Sequence, residues 1–233
     1  GNLKLLNQTG AITCPIHKWS YTLDGKLRHA PKFEPSPNLC LPIIELQSWN
    51  GMLFCTDRNM SNDLKDFGHS KYFDPKLVNM SNYIYVGSDE PMQYNFSCVR
   101  FIAVYLDLYH VAPYHPHTFA QIINCNDFEW EFAENYNVQI AGWRTSPKPV
   151  FEDLPYNKLW SLINKHYSGE SPPHGALWVL LFPNVMIEWY PHILVISTIK
   201  PISHEKCINY LEYYAPKDLY FSSDIQYEKQ ILP

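Results

Sequence analysis

The apolar residues of this chain come in short runs broken by turn signals, a pattern that predicts many strands and few long helices. The densest run covers residues 176–199, where Pro183-Asn184 and Pro191-His192 divide it into pieces of strand length. Strands are expected at 178–182, 186–190 and 193–199, with a further one at 207–214. A stretch of that length also invites a membrane span. Hydrocarbon would leave Asn184, Glu188 and His192 without partners, so buried strands are the better reading. Upstream, residues 129–143 alternate well enough for a strand pair, with Gln139 and Trp143 near its end, and 82–86 and 94–101 read as strands. Helical spacing predicts a helix at about 102–111, another at 157–167 stopped by Ser168-Gly169, and helical character over the last twenty residues.

The first 55 residues follow a different rhythm. Short apolar runs punctuated by Gly and Pro predict small antiparallel β-structure, with the Pro-rich passage 31–42 as a surface loop. Trp49-Asn50-Gly51-Met52 reads as a turn into a closing strand. The polar segment 56–70 marks a domain boundary, so two units are expected, 1–57 and 58–233.

Composition narrows the class. A chain of 233 residues with 46% apolar and 18% charged positions is globular and long enough for real cores. A net charge of -5 without any Lys/Arg run argues against a nucleic-acid or anionic-membrane partner. Aromatics reach 15%, which favours packed sheets and lined pockets. The six cysteines lack framework spacing, and the sequons at Asn7, Asn59, Asn79 and Asn95 are what an Asn-rich chain produces by chance. Reduced thiols and a cytoplasmic location are therefore expected, and no signal peptide is read at Gly1-Asn2-Leu3-Lys4.

Candidate chemistry concentrates in Tyr105-Leu106-Asp107-Leu108-Tyr109-His110-Val111-Ala112-Pro113-Tyr114-His115. On a helix, Asp107 and His110 share a face, and Pro113 is expected to break that helix so that His115 arrives from another direction. Two imidazoles can then meet on one metal with a carboxylate beside it. Two His and one carboxylate with open positions is the pattern of non-haem Fe(II) oxygenases. An amphipathic Tyr/His-rich helix that merely buries its aromatics fits the same spacing, and this stretch alone leaves both readings open. A second cluster, Cys14-Pro15-Ile16-His17, places a thiolate and an imidazole on one tight loop, where both can reach a metal. Alone, it describes equally well a buried Cys beside a surface His.

The longer strings are more specific. Cys14-Pro15-Ile16-His17-Lys18-Trp19-Ser20-Tyr21 resembles the second half of a Rieske 2Fe-2S motif. The segment from Asp107 to Pro116 resembles the mononuclear-iron motif of Rieske ring-hydroxylating oxygenase α subunits, and the two stand in the family's order. The likeness continues through 129–132, 136–139 and 182–190, and is nearest the choline-monooxygenase-like branch.

The resemblance implies an α+β protein: part of a small β Rieske domain, then a helix-grip catalytic domain in which an antiparallel sheet wraps against helices. It implies His110 and His115 as ligands of a mononuclear Fe(II), and Cys14 and His17 as ligands of a 2Fe-2S cluster. Asp107 would accept a proton from a ligating imidazole and link it to a Rieske His of a neighbouring subunit. The family's Cys-x-His-Arg half would precede Gly1, so the chain reads as a fragment with half a cluster site, truncated also at its C-terminus. Asp224 is the candidate third iron ligand, while Asp218 and Glu228 read as solvated. The implied activity is O2-dependent hydroxylation or oxidative demethylation of a small organic substrate. Electrons would come from NAD(P)H through a reductase or ferredoxin, and the full-length protein would be a homotrimer. A Rieske-type electron carrier and a non-catalytic helix-grip binding module are the rival functions. His117 is expected to be turned outward by Pro116, and His192 to face solvent on a turn. Trp130, Trp143, Trp178 and Trp189 are read as sheet packing in preference to a cage for a quaternary ammonium. Cys40, Cys55, Cys98, Cys125 and Cys207 are read as buried thiols.

Overall fold

The computed structural model describes residues 4–6, 10–35, 37–55, 67, 70–116, 119–144 and 155–222. The chain divides into two compact units, 1–47 with 53–59, and 48–52 with 60–233. In the first, four three-residue strands pair antiparallel in chain order: β1 (Lys4–Leu6), β2 (Ala11–Thr13), β3 (Ser20–Thr22) and β4 (Leu27–His29). Gly25, at φ 84°, closes the turn between β3 and β4, the left-handed conformation that glycine adopts without a Cβ clash. The Pro-rich passage carries only an isolated bridge between Cys40 and Lys26, as expected of a loop. A hairpin of β5 (Leu46–Trp49) and β6 (Met52–Cys55) follows. Its two turn residues, Asn50 and Gly51, have φ of 48° and 83°, the handedness that matches strand twist in a two-residue loop.

The second unit is built on one antiparallel sheet. Its strands are β7 (Tyr83–Ser88), β8 (Met92–Tyr94), β9 (Ile123–Phe132), β10 (Tyr136–Trp143), β11 (Ala176–Leu181), β12 (Val185–Tyr190), β13 (Ile193–Ser203) and β14 (Lys206–Pro216). The order is β7-β14-β13-β12-β11-β10-β9, with β8 also paired to β14. Every residue of β11 is buried, which explains why its sequence reads as a continuous apolar run without alternation. One face carries Trp178, Leu180, Met186, Tyr190, Ile193 and Val195. The other carries Leu177, Val179, Ile187, Trp189 and Leu194, also buried. Each such side chain contributes about 1.5–3 kcal/mol on leaving water.

The helices are short. α1 (Cys98–Tyr105) lays Phe101, Ile102 and Tyr105 on Met186, Ile199 and Cys207, and Tyr105 Oη donates to the Val179 carbonyl at 3.3 Å. This corrects the strand expected at 94–101. The Ser97 hydroxyl accepts the Arg100 N–H at 3.3 Å and so caps a helix start that the apolar alternation concealed. The helix expected at 102–111 is likewise divided. Leu106 closes α1, Asp107 is extended (φ -89°, ψ 97°), a 3-10 turn covers Leu108–His110, and α2 (Val111–Tyr114) follows. Pro113 does not break this segment. It lies in the first turn of α2, where its missing N–H removes no helical hydrogen bond.

Three further helices are α3 (Phe119–Ile122), α4 (Pro155–His166) and α5 (Lys217–Ser222). Among the described residues no helix is long and apolar enough to cross a membrane. Cys40 and Cys55 are exposed and only Cys207 is buried, against the expectation of buried thiols throughout. Short strands with open edges leave little interior for the first two. Most of the segment 56–70, together with His117 and Asp224, lies outside the described residues.

Candidate active site

The break before the 3-10 turn is what shapes the site. Because Asp107 is extended, its carboxylate turns back and accepts the Tyr109 N–H at 2.9 Å, capping the turn. Its backbone carbonyl accepts a close hydrogen bond from His110 Nδ1, and its carboxylate stands 4.0 Å from the same nitrogen. A carbonyl only accepts, so Nδ1 carries the proton and Nε2 is the basic nitrogen of His110. This differs in detail from the expectation that the Asp107 side chain orients the imidazole. The backbone of Asp107 does so, while the carboxylate holds the turn.

His115 ends α2, with its N–H on the Val111 carbonyl at 2.9 Å. The two rings meet edge to face, centroids 5.3 Å apart and planes at 71°. Two imidazoles sharing an ion about 2.1 Å from each nitrogen hold their centroids roughly 4.5–5.5 Å apart, and the spacing of this pair lies in that range. Burial, and secondly the neighbouring His110, holds the His115 imidazole below its ordinary pKa, which favours the neutral form that ligation needs. Among the described residues no third His, Cys, Asp or Glu joins them in a metal-holding group.

Both imidazoles line a cavity of about 340 Å³ whose remaining wall is aromatic and aliphatic, with Val104, Leu108 and Val111 among the rings, except for one carboxylate. Tyr94, Phe96 and Phe101 face it from around α1, and Trp178, Glu188 and Tyr190 from the sheet. Sheet register explains the grouping. Trp178 on β11 stands directly opposite Glu188 on β12, so both project to one face, and Tyr190 follows two residues on. Trp178 Nε1 donates to Tyr190 Oη at 2.8 Å, and Tyr190 Oη donates to Glu188 Oε2 at 2.9 Å. Burial raises the Glu188 pKa to about 7, with the hydrogen bonds from Tyr190 and Trp178 opposing.

Glu188 entered the sequence reading as an obstacle to membrane insertion and within the 182–190 likeness, with no role of its own. The signal that marks it is a lone charge between Met186 and Tyr190, apolar-leaning neighbours on the same face of a buried strand. Next across the sheet, Gln139 is fully buried opposite Trp178, and neither end of its amide finds a hydrogen-bond partner. The four tryptophans do not gather into a cage. Trp178 faces the cavity while Trp189, opposite Leu177, projects to the other face and donates to Tyr83 Oη at 3.0 Å. His192 is buried, contrary to the solvent-facing expectation, and burial lowers its pKa to about 3. The tight connection from β12 to β13 folds it inward beside the Tyr190 ring.

In the first unit, Cys14 follows β2, and its loop is closed by Cys14 N–H to Trp19 O (2.8 Å) and Lys18 N–H to Cys14 O (3.0 Å). Backbone amides of His17, chiefly, and Ile16 reach the Cys14 sulfur and hold the thiol below its ordinary pKa, an environment suited to thiolate ligation. His17 is exposed on the same turn. A Rieske cluster takes two Cys and two His. Among the described residues this loop offers one of each, so it fits half of a cluster and does not complete one.

Residues 100–230 match the family model described as ring hydroxylating alpha subunit (catalytic domain), and residues 1–49 match that of the Rieske 2Fe-2S domain. The chain belongs to the ring-hydroxylating α-subunit family, with Rieske sequence ahead of the catalytic domain. It is 39% identical over 209 residues to a putrescine 2-hydroxylase of Ralstonia nicotianae, covering 89% of this chain and 55% of that protein. It is 23% identical over 233 residues to the chloroplastic choline monooxygenase of Spinacia oleracea, covering 91% and 46%. Among solved structures it shares the fold of a quaternary ammonium Rieske monooxygenase in complex with L-carnitine, with a TM-score of 0.62 and 14% identity over 95% of this chain and 57% of that one. Naphthalene 1,2-dioxygenase from Rhodococcus gives 0.59 and 18%, covering 90% and 55%. The chain spans about half the length of the curated relatives it matches.

Proposed function

We propose that this chain is the iron-bearing part of a Rieske-type oxygenase α subunit that hydroxylates, or oxidatively demethylates, a small organic substrate with O2. The observation that carries the reading is the His110–His115 pair, 5.3 Å apart on an aromatic cavity with His110 Nδ1 already committed to the Asp107 carbonyl. Metal-bound imidazoles commonly have their second nitrogen held in this way, which sets tautomer and basicity. His110 and His115 would hold a mononuclear Fe(II), and Asp224 is proposed as a third ligand. The ion, when bound, supplies O2 activation at open coordination positions. The chain's own part is positional. Buried Leu108 and Val111 seat the turn, Asp107 fixes the His110 tautomer, and the aromatic walls exclude water from the reacting carbon.

Cys14 and His17 are proposed as two of the four cluster ligands, within a division of the chain at 1–57 and 58–233. The reading further takes electrons from NAD(P)H through a reductase or ferredoxin, a cytoplasmic homotrimer, and an Asp107 carboxylate that links His110 to a Rieske His of a neighbouring subunit. The similarity to a putrescine 2-hydroxylase supports hydroxylation of a small molecule. Anaerobic Fe(II) titration of the chain tests the centre: one ion per chain is expected, lost in His110→Ala and in His115→Ala and retained in Cys14→Ser. Undiminished iron in both alanine variants would overturn the assignment. In a protein carrying the complete cluster ligand set, substrate-coupled O2 uptake is expected, and its absence would overturn the oxygenase reading.

A further inference from the structure

Glu188 is left over by the metal chemistry. It joins no metal-holding group among the described residues, yet it lines the cavity that His110 and His115 line. Its carboxylate is held by the relay from Trp178 through Tyr190, so its position does not depend on a ligand. No Lys or Arg lines the cavity. Glu188 is half-buried on the cavity wall, and a carboxylate withdrawn from bulk water without a counter-ion beside it is costly, so proteins pair such groups or keep them neutral. Here a cavity of about 340 Å³ opens beside it, within the range of about 300–1,000 Å³ typical of small-molecule sites.

We propose that Glu188 anchors the ammonium group of a primary-amine substrate, its carboxylate accepting N–H bonds while Trp178, Tyr190 and Tyr105 enclose the adjoining methylenes. The preference for a primary over a quaternary ammonium follows from hydrogen bonding. Aromatic faces attract either cation, but a carboxylate oriented by Tyr190 gains charge-assisted bonds only from a cation that has N–H to donate. The imidazole wall and the carboxylate wall arise from different elements, the helical segment and the sheet. An amine held at Glu188 would extend within the same cavity that His110 and His115 line. The inference deepens the oxygenase reading and rests on it only for which carbon reacts.

Calorimetric titration of the full chain with butan-1-amine, butyltrimethylammonium and butan-1-ol at pH 8 tests it. The primary amine is expected to bind tightest, and Glu188→Gln to weaken it by roughly 30-fold or more, the scale of breaking a buried charge pair. A second readout needs no variant. Wild-type affinity for the amine should fall roughly 30-fold from pH 8 to pH 5.5 as a carboxylate of pKa about 7 is protonated. The other titratable groups facing it are Tyr105, Tyr190 and Tyr213, which burial keeps neutral, and the cavity imidazoles His110 and His115. The part of the pH dependence that vanishes in Glu188→Gln belongs to Glu188. Equal amine affinity in the Gln variant, or equal affinity for the trimethylated or neutral analogue, would overturn the proposal. Amine binding through Glu188 in a reconstituted holoenzyme that takes up no O2 would uphold it and overturn the oxygenase reading instead.

Discussion

Replacing Glu188 with Gln should stabilise the ligand-free protein at alkaline pH while impairing its binding. The Glu188 carboxyl has its pKa raised from 4.5 to about 7 by burial, so the folded state holds its proton more tightly than the unfolded chain does. Its stabilising contribution is complete below about pH 4.5 and is lost as pH rises through 7, because the unfolded chain ionises first. At about 1.4 kcal/mol per pKa unit the loss is about 3 kcal/mol by pH 8. Gln cannot ionise, and its carbonyl still accepts from Tyr190 Oη, but the new amide N–H adds a cost of about 1 kcal/mol if it finds no partner. The expected net gain is about 2 kcal/mol at pH 8, or about 4–8 °C in Tm for a chain of this size. At pH 4.5 the same substitution should be neutral to slightly destabilising. Urea unfolding of both proteins at pH 4.5 and pH 8, followed by tryptophan fluorescence, measures the difference directly. A change in stability that is the same at both pH values would refute the claim that burial, and no hidden counter-ion, sets the state of this carboxylate.

Asp107→Asn should keep the cap on the Tyr109 N–H and the iron stoichiometry but lose O2-coupled turnover, whereas Asp107→Ala should also lose about 1 kcal/mol of stability; thermal melts with iron assay and turnover separate the two. His192 is held neutral by burial, with its pKa lowered to about 3, so its contribution is complete above pH 6.5 and is lost as pH falls. Wild type should therefore lose about 2 kcal/mol between pH 6.5 and pH 4.5 that His192→Phe does not lose, read from paired urea melts. Gly175→Ala should cost about 3 kcal/mol, because the added Cβ would lie 2.2 Å from the Gly142 carbonyl oxygen on the adjoining backbone. Gly169→Ala, with nothing within 4 Å, should cost only the left-handed backbone strain of about 1–2 kcal/mol, and equal losses in the two variants would refute the close-approach account.

The strands of the large sheet were legible because Pro183-Asn184 and Pro191-His192 interrupt an otherwise continuous apolar run where the chain reverses. The start of α1 was not, because Tyr94, Phe96 and Cys98 alternate like a strand while the cap at Ser97 acts through one hydroxyl. Pro113 misled for a related reason: the rule that proline ends helices concerns interiors, and this one sits in a first turn. The pairing of His110 with His115 could be expected from spacing, since both lie in one short segment. Glu188 could not be assigned to the same cavity. Its neighbours are set by pairing with β11, and a one-residue slip would have turned it to the opposite face. The buried state of His192 escaped for the same kind of reason, since local turn chemistry says nothing of what packs over the turn.

That His110 and His115 lie within six residues of each other bears on how such a centre assembles. Closing a chain on itself costs entropy that grows with the length enclosed, and between these two rings almost nothing is enclosed. In the proposed centre, two coordination positions would thus be prepared as soon as a single helical turn forms, before distant segments arrive. Any ligand contributed from far along the polypeptide completes a half-built nest and need not recruit the others, so metal capture can begin while the rest of the molecule is still condensing.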